Sequence, residues 1–110
     1  MCNILVCSNN DQLLTALGRT SGQGDVHFTV CRRGMEAVQA LMALSFDRLI
    51  LDLETPGVDS LFLVSIARRV APRLPVVAIS SRPVLQTREI EQKGVRTIWC
   101  PPLTAVKSLR

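Results

Sequence analysis

The chain alternates short apolar runs with stretches of helical periodicity. Ile4-Leu5-Val6-Cys7 is rich in strand-forming residues and ends in Ser8-Asn9-Asn10-Asp11, a cluster suited to a turn and a helix cap. With Asn9 at the N-cap, Gln12 falls at the third helical position, and Leu13, Leu14 and Leu17 form an apolar side. Gly22 and Gly24 break that helix. From Asp25 to Cys31, Val26, Phe28 and Val30 alternate with His27, Thr29 and Cys31, which predicts a second strand near a sheet edge. Residues 34–44 predict a helix with Met35, Val38, Leu41 and Met42 in the core.

Arg48-Leu49-Ile50-Leu51 predicts a third buried strand ending at Asp52, and Glu54-Thr55-Pro56-Gly57 must be loop. Asp59 caps the next predicted helix, whose stripe is Leu63, Ile66, Ala67 and Val70, before Pro72 and Pro75 end it. Pro75 to Ile79 predicts a fourth strand. Val84 to Lys93 predicts a fourth helix anchored by Val84, Leu85 and Ile90 and closed by Gly94, and Arg96 to Cys100 a fifth strand. Leu103, Val106 and Leu109 begin a fifth helix that stops after about two turns, as though cut from a longer protein. Five apolar strands separated by helices imply a parallel sheet covered on both faces, with the working crevice at the strands' carboxyl ends. That edge collects Ser8, Asn9, Asp52, Ser80 and Pro101.

Composition narrows the class. The chain has 110 residues, 47% of them hydrophobic and 20% charged, enough for one compact domain and too ordered in composition for disorder. No signal peptide or long apolar run is present, so a cytoplasmic protein is expected, without membrane association. Cys2, Cys7, Cys31 and Cys100 lack zinc-site spacing, and reduced core thiols are the expectation for those ending strands. The net charge of +4 is unevenly spread: residues 1–60 carry four basic and seven acidic side chains, and residues 61–110 carry nine and two. No nucleic-acid-binding motif accompanies that basic half, so direct binding to nucleic acid is not expected.

The run Asp47-Arg48-Leu49-Ile50-Leu51-Asp52-Leu53-Glu54-Thr55-Pro56-Gly57-Val58-Asp59, within this order of elements, resembles the receiver domain of bacterial two-component response regulators. The resemblance covers nearly the whole chain. It implies a doubly wound, five-stranded parallel sheet of flavodoxin-like strand order 2-1-3-4-5, with residues 1–110 forming one receiver-like domain. It implies Asp52 as phosphoacceptor candidate, with Pro56, Gly57 and Ser80 at further family positions.

Three family positions depart from the pattern. The acidic pair that holds Mg²⁺ falls on Ser8 and Asn9, the lysine after the fifth strand on Pro101, and the aromatic switch position on Ile98. These losses remove most of the metal cage and cationic machinery for phosphoryl transfer, so weak or absent Mg²⁺ binding and no other cofactor are expected. Asp11 and Glu54 are alternative carboxylates. Asp52 is open to two readings, phosphoacceptor or structural acceptor for loop amides, and Ser80 to two, phosphoryl sensor or helix cap. The family's Lys-Pro geometry implies a cis bond before Pro102.

The resemblance thus implies an atypical receiver, or pseudo-receiver, a signalling module rather than an enzyme. It would regulate an output domain, in many such regulators one controlling transcription. A histidine kinase or other signalling protein is the implied partner, and a homodimer through the fourth helix, fifth strand and fifth helix, bearing Arg88, Lys93, Arg96, Lys107 and Arg110, is expected. Two alternatives stand beside it: a receiver fully competent for phosphorylation at Asp52, and a cysteine phosphocarrier resembling a phosphotransferase IIB component with Cys7 as nucleophile.

Overall fold

The computed structural model describes residues 2–20, 25–80 and 87–99. Along the chain run β1 (Cys2–Cys7), α1 (Asp11–Thr20), β2 (Val26–Cys31), α2 (Gly34–Ala43), β3 (Arg48–Asp52), α3 (Ser60–Val70), β4 (Val76–Ser80), α4 (Thr87–Gln92) and β5 (Arg96–Trp99). All pairings are parallel, in the order β2-β1-β3-β4-β5. The first connection thus runs to one side of β1 and the later ones to the other, which opens a crevice between the carboxyl ends of β1 and β3.

Strand alternation sorts the core into two layers. Ile4, Val6, Ile50, Val77 and Ile79 meet Leu13 and Leu17 of α1 on one face. On the other, Leu5, Cys7, Leu49, Leu51, Val76 and Ala78 pack with α2, α3 and Ile90 of α4. Cys7 and Cys31 are buried members of that second layer, as expected for core thiols; Cys100 lies outside the described residues. No helix among the described residues is long and apolar enough to cross a membrane.

Several predicted faces are rotated. Met35 and Met42 are 47% and 70% exposed, and α2 instead buries Gly34, Ala37, Val38 and Leu41. The cause is a close approach: a Cβ on Gly34 would lie 2.7 Å from Val58 Cβ, so the small face of α2 is the one the β3–α3 loop can accept. In α3 the buried residues are Leu63, Val64 and Ala67, while Val70 is exposed at the last turn. Val30 is also exposed, because β2 is the edge strand and α1 does not cover its end.

The cap of α1 is Asn10, not Asn9: Leu13 N–H donates to Asn10 Oδ1 at 3.0 Å. Asp59 caps α3 as predicted, accepting from Phe62 N–H at 3.3 Å. One long side chain ties two elements together. The Arg68 guanidinium donates to the carbonyls of Lys93 (2.6 Å), Leu74 (2.6 Å) and Gly94 (3.2 Å), satisfying the C-terminal end of α4 from α3. Gly94 itself has φ +78°, the left-handed conformation suited to a helix end. Val84, Leu85, Cys100, Pro101, the bond before Pro102 and the fifth helix lie outside the described residues.

Gly34→Ala is expected to destabilise the fold by about 1–3 kcal/mol, since Val58 belongs to a loop backed by the core and cannot retreat freely. Urea unfolding followed by circular dichroism measures it; an unchanged midpoint would show that the loop yields without cost.

Candidate functional site

β3 enters the interior as an unbroken apolar run, and its last residue, Asp52, remains only 6% exposed. The β1–β3 register pairs Cys7 with Leu51, so the next step along both strands sets Ser8 against Asp52. Ser8 Oγ donates to Asp52 Oδ2 at 2.8 Å. The other carboxylate oxygen, Oδ1, accepts from Glu54 N–H at 2.9 Å. Ser8 Oγ in turn accepts from Asn10 N–H at 3.1 Å, and Thr55 Oγ1 donates to the Cys7 carbonyl at 3.2 Å. The loops after β1 and β3 are thereby stitched to each other around one carboxylate.

Burial is the largest influence on Asp52 and pushes its pKa up from the ordinary 3.8. The Glu54 amide and the Ser8 hydroxyl oppose that rise, and the Glu54 carboxylate reinforces it. Burial dominates, so the net shift is upward. Cys7 shows the same effect more strongly: burial first, then the neighbouring Cys31, raise its thiol to about 12. A buried thiol protonated at neutral pH is a poor nucleophile, which weighs against Cys7 as a phosphocarrier.

Of the remaining sequence candidates, Ser80 is buried at the end of β4, and the β4–β5 register pairs Ile98 with Ile79 in the backbone. Pro101 lies outside the described residues. Asn9 and Asp11 do not enter the site; both are exposed and face Arg32, whose Nη1 lies 2.9 Å from Asp11 Oδ1 and 3.4 Å from Asn9 Oδ1. An exposed pair of this kind contributes about 0.2–1 kcal/mol. Its consequence is chemical: Asp11, the acidic side chain in the first turn of α1, is turned to a guanidinium at the rim.

These residues do not fit a divalent cation. Mg²⁺ requires several hard oxygen ligands in octahedral array, with carboxylates to balance its charge. Here Asp52 has a donor on each oxygen, Ser8 points its proton at the carboxylate, and Asp11 is paired with Arg32. Among the described residues no three His, Cys, Asp or Glu side chains gather as a ligand set.

Sequence reasoning placed Ser8 and Asp52 at the same edge but missed their bond, and it missed Arg32 and Thr55 entirely. The only sequence signal for Arg32 is its place immediately after β2, at the carboxyl edge of the sheet.

Because the folded state holds Asp52 above its ordinary pKa, the fold favours the neutral carboxyl. The contribution is therefore complete below pH 3.8 and is lost as pH rises through the folded value. Asp52→Asn, an isosteric neutral mimic, should raise the melting temperature at pH 7, with the advantage shrinking toward pH 3.8. Ser8→Ala should lower stability by about 1–3 kcal/mol at pH 7 by withdrawing a buried donor. Melting curves across pH test both; a lower melting temperature for Asp52→Asn at pH 7 would mean that the charged form is net favourable.

No protein-family model matches the sequence, and no curated protein matches it. Similarity lies in solved structures. A CheY-like response regulator receiver domain from Methanospirillum hungatei superposes with TM-score 0.80 at 12% identity, covering 99% of this chain and 90% of that one. The phosphorylated cyanobacterial phytochrome response regulator RcpA gives 0.83 at 19%, covering 98% and 90%. The receiver domain of a Pseudomonas aeruginosa sensor histidine kinase, solved with magnesium in its active-site cleft, gives 0.78 at 19%, covering 98% and 93%. With close superposition over nearly the whole of each chain, the fold of this chain is the flavodoxin-like α/β fold of the CheY-like receiver domains.

Proposed function

We propose that this chain is an atypical receiver, a two-component signalling module that acts through contacts with other proteins, with weak or no phosphorylation of Asp52. The observation that carries this reading is the neutral anchoring of Asp52: a serine hydroxyl and a backbone amide hold the carboxylate in the place the family gives to an acidic pair and its Mg²⁺. Phosphoryl transfer depends on positioning and on cations that neutralise developing charge. A buried carboxylate whose two oxygens already accept from the Ser8 hydroxyl and the Glu54 amide, without a metal cage beside it, is a poor acceptor.

Under this reading the module senses its upstream partner, a histidine kinase or another signalling protein, by binding alone. It passes the signal to an output domain, one that regulates transcription being the leading choice. The basic second half of the sequence supports an acidic partner surface: Arg88 on α4 and Arg96 at the start of β5 are both exposed. Of the face formed by α4, β5 and the expected fifth helix, Arg88, Lys93 and Arg96 lie within the described residues, and Lys107 and Arg110 outside them.

The test is intact mass after incubation with Mg²⁺ and acetyl phosphate, for the native chain and Asp52→Asn, beside an ordinary receiver. The expected result is no phosphoryl adduct on this chain while the ordinary receiver reacts. An adduct that disappears in Asp52→Asn would establish instead a receiver competent for phosphorylation.

A further inference from the structure

We infer that the open edge of β2 is a dimerisation surface, pairing antiparallel with β2 of a second copy of this chain about a two-fold axis through Thr29. The strand lies at the end of the sheet, with β1 on its inner side alone. The carbonyls of Asp25 and Cys31 accept from β1 or its extension, Cys2 N–H and Ser8 N–H, at 2.7 and 2.9 Å. Ladder alternation then turns His27 and Thr29 inward as well, and directs the N–H and C=O of Val26, Phe28 and Val30 away from the sheet. The six residues Val-His-Phe-Thr-Val-Cys contain no proline, lysine or carboxylate, the usual guards of an exposed edge.

The face of this edge is apolar. An open groove of about 400 Å³ runs between α1 and β2, lined by Leu14, Leu17, Val26, Phe28 and Val30. Val30 at its end is 48% exposed. Two copies joined edge to edge would make the two grooves continuous.

Charge selects both the occupant and the register. Side chains opposite each other in an antiparallel pair share a face, so the pairing can slip only in steps of two. With Thr29 opposite Thr29, Phe28 meets Val30 of the second copy twice, on the groove side, and these pairs exchange their free N–H and C=O groups. The same register sets Asp25 against Arg33 at both ends, two exposed side chains of opposite charge at the bends that flank the strand, with Arg33 itself at φ −134° and ψ 148°. Centring on Phe28 puts Asp25 opposite Cys31, and centring on Val30 puts it opposite Met35, so neither opposes Asp25 with Arg33; the Thr29 register sets Val26 opposite Arg32, whose guanidinium Asp11 already holds. A self-complementary strip, apolar in the middle and oppositely charged at its ends, fits a second copy of this chain.

Sedimentation equilibrium of the full chain over a wide concentration range tests this inference. The expected result is a reversible dimer that Val30→Lys dissociates, with an unchanged circular dichroism spectrum, and that Arg88→Glu on α4 leaves intact. Asp25→Arg should weaken it about tenfold, and Asp25→Arg with Arg33→Asp should restore it. Amide exchange at Phe28 and Val30 should slow as protein concentration rises. The inference is overturned by a monomer up to about 1 mM, by a dimer broken by Arg88→Glu and indifferent to Val30→Lys, or by amide exchange at Phe28 and Val30 that ignores concentration. It does not depend on the chemistry of Asp52, so phosphorylation of that residue would leave it standing.

Discussion

Burial on both faces of the central strands is the constraint from which the rest of this structure follows. Every residue from Ile4 to Cys7, from Leu49 to Leu51 and from Val76 to Ile79 is apolar and buried. No solvent-facing side exists on which a polar side chain could alternate with these residues. Polar chemistry is therefore pushed to the strand ends, where the first buried polar residues are Ser8, Asp52 and Ser80. The parallel direction of all five strands brings those ends to one edge.

A carboxylate at such a place must be offset by a cation or by hydrogen-bond donors, because desolvating an ionised group without either is far costlier than one buried contact returns. This chain uses neutral donors from two loops. They lower the cost without abolishing it, which is why burial still prevails in the balance on Asp52. The nearby guanidinium of Arg32 is engaged at the rim with Asn9 and Asp11. Site and rim are thus separate electrostatic units, one closed on itself and one facing solvent.

The legible parts of the sequence were those in which a local signal and the tertiary demand coincide. Continuous apolar runs marked β1, β3 and β4 because only double burial requires them. Asp59 announced its helix because a cap acts on amides three residues away. The choice between Asn9 and Asn10 was not legible, since both can cap and the loop geometry set by the Ser8–Asp52 bond decides which one does. Periodicity located α2 and α3 but not their rotation. The apolar arc of α2 is wide enough to include Met35 and Met42, and the contact of Gly34 with Val58 turned the alanine side inward instead.

By itself, then, the sequence determined the order of elements, the parallel buried sheet and the presence of Asp52 and Ser8 at its carboxyl edge, because each of these is written in local hydrophobicity and turn chemistry. Only the tertiary structure decided what Asp52 touches, that Arg32 turns to Asn9 and Asp11, that Arg68 of α3 holds the end of α4, and that β2 ends the sheet among the described residues. Those outcomes join residues far apart in the chain, 44 positions for Ser8 and Asp52 and 25 for Arg68 and Lys93. No local pattern encodes such pairs; they arise from the register in which strands and helices pack.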